Sequence, residues 1–291
     1  MKFKIEHTTQ YEYAQAINLS YNMAWVSPRH FPGQQVLSHS LKILPEPSQL
    51  HQHTDFFGNT FTYFAIHNPH TLLTITAESQ ILREVQATQV PLDYLAWDRF
   101  ATQLEAQNFS WQELKIYTLP SLYIPVGDYL MEYAHPSFPP GKPLFLAVKE
   151  FMERIFTEFE YNPEFSTIAT PVHEVLAAKK GVCQDFAHLA IGCLRSMGLP
   201  ARYVSGYIES QAPEEEENLI GAAASHAWFS VFIPNLGWID FDPTNNQIPR
   251  NQHISVAWGR DYADVPPVKG VVYGSGNQQL EVGVYVERLP N

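Results

Sequence analysis

The run Cys183–Met197 constrains this chain more than any other segment. It carries Phe186, Ala187, Leu189, Ala190, Ile191, Cys193, Leu194 and Met197, so an α-helix drawn over it is apolar nearly all round. A helix with no polar face must lie at the centre of a domain, with other layers around it. Gly198 and Pro200 stop it, because glycine accepts the left-handed conformation after a last turn and proline cannot continue the helix. The flanking segments supply the covering layers. Upstream, Leu144, Val148, Phe151, Ile155 and Phe159 recur every three or four residues, which predicts an amphipathic helix, and 171–180 reads as a shorter one. Downstream, Ala201–Ile208, Ala227–Ile233, Trp238–Asp242, Val271–Tyr273 and Leu280–Val286 read as strands. Helices followed by an antiparallel sheet make an α+β domain.

The first third of the chain has a different texture. Phe3, Ile5 and His7 alternate with Lys2, Lys4 and Glu6, and further strand-like runs follow at Leu37–Leu44, Phe61–Ile66 and Leu72–Ile81. Turn signals separate them at Pro32-Gly33, Pro45–Pro47 and Gly58-Asn59. This predicts an antiparallel, sandwich-like β domain over 1–88, followed by an α+β domain over 89–291. Within the second, 89–140 is a helical and loop connection: Ala96–Asn108 has helix-like spacing, Ser110 is placed to cap a short helix, and Pro136–Pro143 is an ordered loop or linker. A chain of 291 residues accommodates two domains at about 100–200 residues each.

Charge and cysteine usage narrow the function. Eighteen Lys+Arg against thirty Asp+Glu give a net charge of −12, a field that repels a phosphate polyanion and argues against nucleic-acid binding. No apolar run approaches the roughly 18 residues of a membrane span, and the start of the chain lacks the apolar stretch of a secretory signal, so no membrane partner and a cytoplasmic location are expected. The two cysteines, Cys183 and Cys193, do not form a disulfide framework. Ten residues on one helix separate them by about 15 Å, and Cys193 reads as core.

Cys183 stands where the central helix begins. Unpaired N–H groups and a positive partial charge there favour a thiolate over a thiol and can hold an oxyanion. Gly181, two residues earlier, offers a bare backbone that lets a substrate carbonyl approach. His188 is near in sequence but badly placed: five residues turn about 140° past a full turn and rise about 7.5 Å. Asp185 and His188 instead make a local hydrogen bond or fill core. His226 is the better partner. It opens Ser225–Phe232, which continues through Pro234–Gly237 into Trp238–Thr244 as a hairpin. Alternation puts His226, Trp228 and Ser230 on one face, and Asp240 and Asp242 share a face of the second strand. An odd connection such as Pro234-Asn235-Leu236 pairs 230 with 240 and makes His226 and Asp242 diagonal neighbours; an even one turns them to opposite sides. The odd register is expected, with Asp242 preferred over Asp240. A cysteine, an imidazole and a carboxylate so arranged suit nucleophilic acyl transfer through a thioester.

These residues resemble the transglutaminase-like superfamily, cysteine enzymes of papain-like architecture. GVCQDFAHLAIGCLRSMGLPARYVSGY, SHAWFSVF and GWIDFDPTNN match its three catalytic blocks in order. Tyr11–Tyr13, Ser27–Arg29, Asp55–Asn59 and Ala257–Pro267 are similar to the pattern of a bacterial branch with an N-terminal β-rich domain. The resemblance implies Cys183 as nucleophile, His226 as general base and acid, and Asp242 as orienting carboxylate. It implies acyl chemistry on an amide of a peptide or protein substrate without naming the acceptor, since the family holds cross-linking transferases, peptidases, amidases and inactive members. Hydrolysis of peptide or isopeptide amides is the preferred reading; transamidation of a glutamine side chain and a non-catalytic scaffold are the rivals. The Cys183 N–H is one oxyanion donor. Tyr161 stands where the family often has an aromatic residue, and its hydroxyl is either a second donor or a packed structural group. Gln184, Trp228 and Trp238 are candidates to line the substrate site, with sheet packing the alternative for both tryptophans.

Other features carry less. Glu214–Glu217 reads as a solvated loop tip or a flap favouring basic substrates. His51-Gln52-His53 and His67–His70 lack a metal-ligand set at known spacing, and Gly270–Gly276 lacks a phosphate-loop pattern, so neither a metal nor another cofactor is expected. The sequence leaves oligomeric state open.

Overall fold

A computed structural model describes residues 1–84, 95–102, 111–211, 219–274 and 276–290. The chain begins with six strands, β1 (Lys2–Ile17), β2 (Leu19–Ala24), β3 (Gln34–Leu44), β4 (Gln49–Thr54), β5 (Thr60–Ile66) and β6 (His70–Arg83). Helices α1 (Trp111–Lys115), α2 (Asp128–Ala134) and α3 (Leu144–Glu158) follow, then β7 (Glu160–Tyr161), α4 (Val172–Ala178), β8 (Lys180–Gly181) and α5 (Cys183–Ser196). The last third holds β9 (Ala201–Ile208), β10 (His226–Ile233), β11 (Gly237–Phe241), β12 (His253–Gly259), β13 (Val268–Tyr273) and β14 (Gln278–Leu289). The expected Glu214–Glu217 loop, the Ser110 cap and the end of the Ala96–Asn108 helix fall outside the described residues.

α5 occupies the position its composition demands. Every residue from Asp185 to Arg195 is buried, with α2, α4 and the sheet of β9 and β10 packed around it. Gly198 adopts φ +77° and the Leu199 N–H reaches back to the Leu194 carbonyl, closing the helix end. The sheet behind it runs β11-β10-β9-β12, antiparallel throughout. Ala227, Phe229, Val231 and Ile233 of β10 enter the core shared with α5.

The N-terminal half forms two four-stranded sheets, ordered β14-β1-β6-β3 and β13-β2-β5-β4. Each is completed by a strand from the far end of the chain. β14 pairs with β1 from Lys2↔Leu289 to Tyr13↔Gln278, and β13 pairs with β2. The strands expected at Val271–Tyr273 and Leu280–Val286 therefore do not extend the sheet behind α5, and sheet membership does not follow a division at residue 88. The reason is local pattern: both segments are half-exposed strands, equally able to sit on either sheet, and only long-range pairing decides. β14 also ties the halves together. Its Val286 carbonyl accepts the Ser210 N–H, and Arg288 bonds Glu209 at the end of β9 (2.8 Å to Oε1). Val284 and Val286 share one core with Phe3, Ile5 and the α5 residues, while a second core, including Tyr13, Phe64, Leu73 and Ile75, lies within the β domain.

A shared core predicts one cooperative unfolding transition. Val284→Ala with Val286→Ala should lower stability by about 3 kcal/mol, at about 0.8 per buried methyl(ene) removed, and still give coincident loss of circular dichroism and tryptophan fluorescence on heating. Two separated transitions would show that the halves fold independently.

Candidate active site

Cys183 is the first residue of α5, half-buried, and the short parallel pair β7–β8 sets what surrounds it. Tyr161 lies opposite Gly181, and the Asn162 N–H bonds the Gly181 carbonyl at 2.9 Å. Burial raises the Tyr161 hydroxyl above its ordinary range, and Cys183, close enough to act electrostatically, adds to the rise. Asp185, in the first turn, folds back so that its carboxylate accepts the N–H of Val182 at 2.8 Å and the hydroxyl of Ser166. Burial nevertheless leaves this carboxyl above its usual range. Gly181 is bare for Asp185, not for a substrate: a Cβ there would lie 2.8 Å from Cβ and Oδ2 of that side chain.

The hairpin of β10 and β11 has the odd register. Ser230 pairs with Asp240 and Ile233 with Gly237 across Pro234-Asn235-Leu236, with Asn235 at φ +68°. His226 and Asp242 meet, Nε2 to Oδ2 at 2.8 Å, both fully buried. The opposite ring nitrogen, Nδ1, has no conventional hydrogen-bond partner among the described residues; Gly221 packs against it, and the Cys183 sulfur is the group that acts on the ring by charge and hydrogen bonding. Burial alone would pull the imidazole down, but Asp242 and Cys183 outweigh it and raise the ring to about 10. Asp242 is held well below the usual carboxylate range: burial opposes ionisation, and the charge and hydrogen bonds of His226 and His253 overcome it.

His253 is the participant that sequence reasoning missed. From β12 its Nε2 donates to the same Asp242 oxygen at 2.9 Å. Its pKa is lowered by burial, against the opposing pull of Asp242, so it serves as a neutral donor. Asn245 Nδ2 gives that oxygen a third bond (2.8 Å), and the Thr244 N–H bonds the other oxygen (3.0 Å). His253 lies ten residues beyond the GWIDFDP block with no spacing signal to connect them. The donor atoms of His226, Asp242 and His253 lie within 4.8 Å of one another, a set that could hold a divalent ion; their mutual hydrogen bonds already account for the approach.

The remaining candidates separate. His188 is buried with its Nε2 accepting the Tyr262 N–H (3.2 Å) and its ring stacked on Tyr123, and burial lowers it to about 4. It fills core, and its expected bond to Asp185 is absent. Cys193 is buried. Gln184 turns to the Ile168 carbonyl at 3.3 Å. Trp228 is 0% exposed and packs between His226 and His253, with ring centroids 6.1 and 5.2 Å away. It backs the imidazoles and meets no solvent, so it cannot line a substrate path. Trp238 faces away from Cys183, into a cavity between the sheet and the β domain whose lining contains none of Cys183, His226 and Asp242. It flanks the site in sequence, but the cavity it lines is built from Arg202 and Asp240, in the row of Ser230, and from Ser255 and Trp258 of β12. Among the described residues, no helix is long and apolar enough to cross a membrane.

Comparison with known proteins places the fold. Residues 136–243 match the transglutaminase-like superfamily, and residues 3–82 match the bacterial transglutaminase-like N-terminal region. An uncharacterized protein of Mycobacterium tuberculosis is 38% identical over 300 residues, covering 98% of this chain and 92% of its own. The chain belongs to the transglutaminase-like superfamily. A candidate cysteine protease from Cytophaga hutchinsonii shares the fold, with TM-score 0.74 at 23% identity, covering 100% of this chain and 91% of that one. A protein-glutamine gamma-glutamyltransferase of Pseudomonas aeruginosa is 33% identical over 72 residues, 24% of this chain and 11% of its own. Together these show a mixed, papain-like fold with an N-terminal β region in a transglutaminase-like protein.

The ring of His226 owes its charge to Asp242, which fixes the sign of the pH response. Its pKa is raised from 6.5 to about 10, so its contribution to stability is complete below pH 6.5 and is lost as pH rises through about 10. Asp242→Asn should lower the ring's pKa from about 10, because Cys183 alone then opposes the effect of burial. An NMR titration of the His226 ring in both proteins checks this, and an unchanged pKa in the variant would refute the assignment.

Proposed function

We propose that this protein is a cysteine-nucleophile acyl-transfer enzyme that hydrolyses peptide or isopeptide amides. One observation carries the reading: a fully buried imidazole bonded to Asp242 at 2.8 Å and acted on by the sulfur of a cysteine that begins a buried helix. The charged His226 ring stands beside the Cys183 sulfur, the nucleophile. The sulfur attacks the amide carbon, and negative charge develops on the carbonyl oxygen near the first turn of α5. There the Cys183 N–H has no intrahelical acceptor and donates to it. The Tyr161 hydroxyl, neighbouring the sulfur, is the second candidate donor. His226 then passes its proton to the departing amine and the C–N bond breaks, leaving a thioester. The neutral imidazole next takes a proton from water, which attacks the acyl carbon, and the sulfur leaves as the acid is released. Asp242 holds the ring and stabilises its cationic form throughout. The substrate is a peptide or protein.

The local match to a protein-glutamine gamma-glutamyltransferase supports a second reading, in which an amine replaces water at the thioester. The chemistry before the thioester is the same. Presenting a peptide library together with a labelled amine separates them, with cleavage and amine incorporation read independently by mass spectrometry. Cleavage without incorporation is expected. Cys183→Ala should lose turnover by at least about a thousandfold while keeping its melting temperature. Near wild-type turnover in that variant would overturn the cysteine assignment, and incorporation exceeding cleavage would select the transferase.

A further inference from the structure

Between the outer face of the β9–β12 sheet and the β domain lies a cavity of about 470 Å³, lined by Arg83, Arg202, Trp238, Asp240, Asn251 and Trp258 among others. Its polar groups are not matched to one another. Arg202 is 8% exposed, with its guanidinium carbon 3.9 Å above the Trp258 ring and 4.4 Å from that of Trp238. Those stacks cover the faces of the guanidinium and leave its N–H edge, which carries the hydrogen bonds in arginine recognition. Yet no hydrogen bond or ion pair from the Arg202 side chain is present among the described residues, and its buried Nε is unpartnered. Arg83 bonds the Arg250 carbonyl through Nη2 at 2.9 Å, but its Nε is also buried and unpartnered. On the acceptor side, Asn251 Oδ1 is buried without a donor. Asp240 acts on both arginines through its charge without reaching ion-pair distance of either.

Buried polar groups left without partners are costly, and orphan donors and an orphan acceptor around one cavity fit a ligand that carries the complementary groups. Two guanidinium edges suit a carboxylate, which they can grip with parallel N–H···O bonds. Asp240 and Asn251 Oδ1 suit an ammonium group, and Trp238, Ile239 and Ile248 supply apolar lining for a small apolar body. We propose that this cavity binds a small zwitterion of the amino-acid or dipeptide class: carboxylate toward Arg83 and Arg202, ammonium toward Asp240 and Asn251, apolar side chain beside Trp238. The site is separate from Cys183 and stands or falls independently of the chemistry there.

The test is an equilibrium titration of the full chain with L-leucine and L-phenylalanine, read by tryptophan fluorescence and melting temperature. A saturable response below about 10 mM is expected, weakened at least tenfold for leucinamide, which lacks the carboxylate, and for N-acetyl-leucine, which lacks the ammonium. Arg202→Met keeps a side chain between the indoles while removing the donors and should abolish the response. Arg83→Met leaves the tryptophan stack untouched, so it keeps the test decisive if Arg202→Met unfolds; it should weaken binding at least tenfold. No saturable response to either amino acid, equal binding of leucinamide, or wild-type affinity in Arg83→Met would each overturn the proposal.

Discussion

The bond between His226 and Asp242 is the constraint on which the rest of the site turns. Two charged groups, both fully buried, sit at 2.8 Å. Such a pair survives only when its remaining hydrogen-bonding capacity is satisfied, because the desolvation of each ion otherwise exceeds their attraction. Here Asp242 takes donors from His253, Asn245 and the Thr244 backbone in addition to His226. The carboxylate is thus fixed from three directions, and the imidazole has one orientation left, with Nδ1 on the side of Cys183. A less saturated carboxylate would be free to rotate and would leave the ring without a defined tautomer.

That saturation reaches back into the β domain. His253 sits on β12, whose Ser255 is held by both polar atoms of the buried Gln34 side chain: Nε2 to the carbonyl at 2.7 Å, and Oε1 from the N–H at 3.0 Å. Asn59 grips Trp258 of the same strand in the same two-handed way, at 2.8 and 3.0 Å. Gln34 and Asn59 belong to the N-terminal sheets and their turns, so the β domain positions the strand that presents His253 to Asp242. Its contribution to the site is mechanical, through side-chain amides that bond the backbone of β12 at its middle and near its end.

How much of this was legible in sequence depends on whether the deciding interaction is local. The central helix was legible because its apolar residues leave no solvent face, and its start and stop carry their own signals. The meeting of His226 with Asp242 was legible because a three-residue connection fixes strand parity, and parity alone decides which face each side chain takes. The role of His253 and the sheet placement of β13 and β14 were not legible. Each depends on a partner far along the chain, and nothing within the segment distinguishes one sheet edge from another. The reading of Gly181 failed for a related reason: a bare Cα signals close approach, but sequence does not say what approaches, and Asp185 took the place assigned to a substrate.

Trp228 and Trp238 show the same limit in a sharper form. Alternation correctly puts both on the face of the sheet that carries His226, yet their surroundings differ completely. Trp228 stands two residues from His226, where the indole is closed in by His253 and the neighbouring strands. Trp238 stands on β11 opposite Phe232, beyond the hairpin pairs that hold Asp242, and there the face opens into the cavity under the β domain. Periodicity fixes the side of a sheet but not the distance along it, and at about 3.3 Å per residue the four positions from His226 to Ser230 span more than the width of a side chain. One face can therefore carry a closed cluster of His226, Asp242 and His253 beside a separate polar cavity. What divides them is the packed indole of Trp228 together with the short, bonded approach of His253.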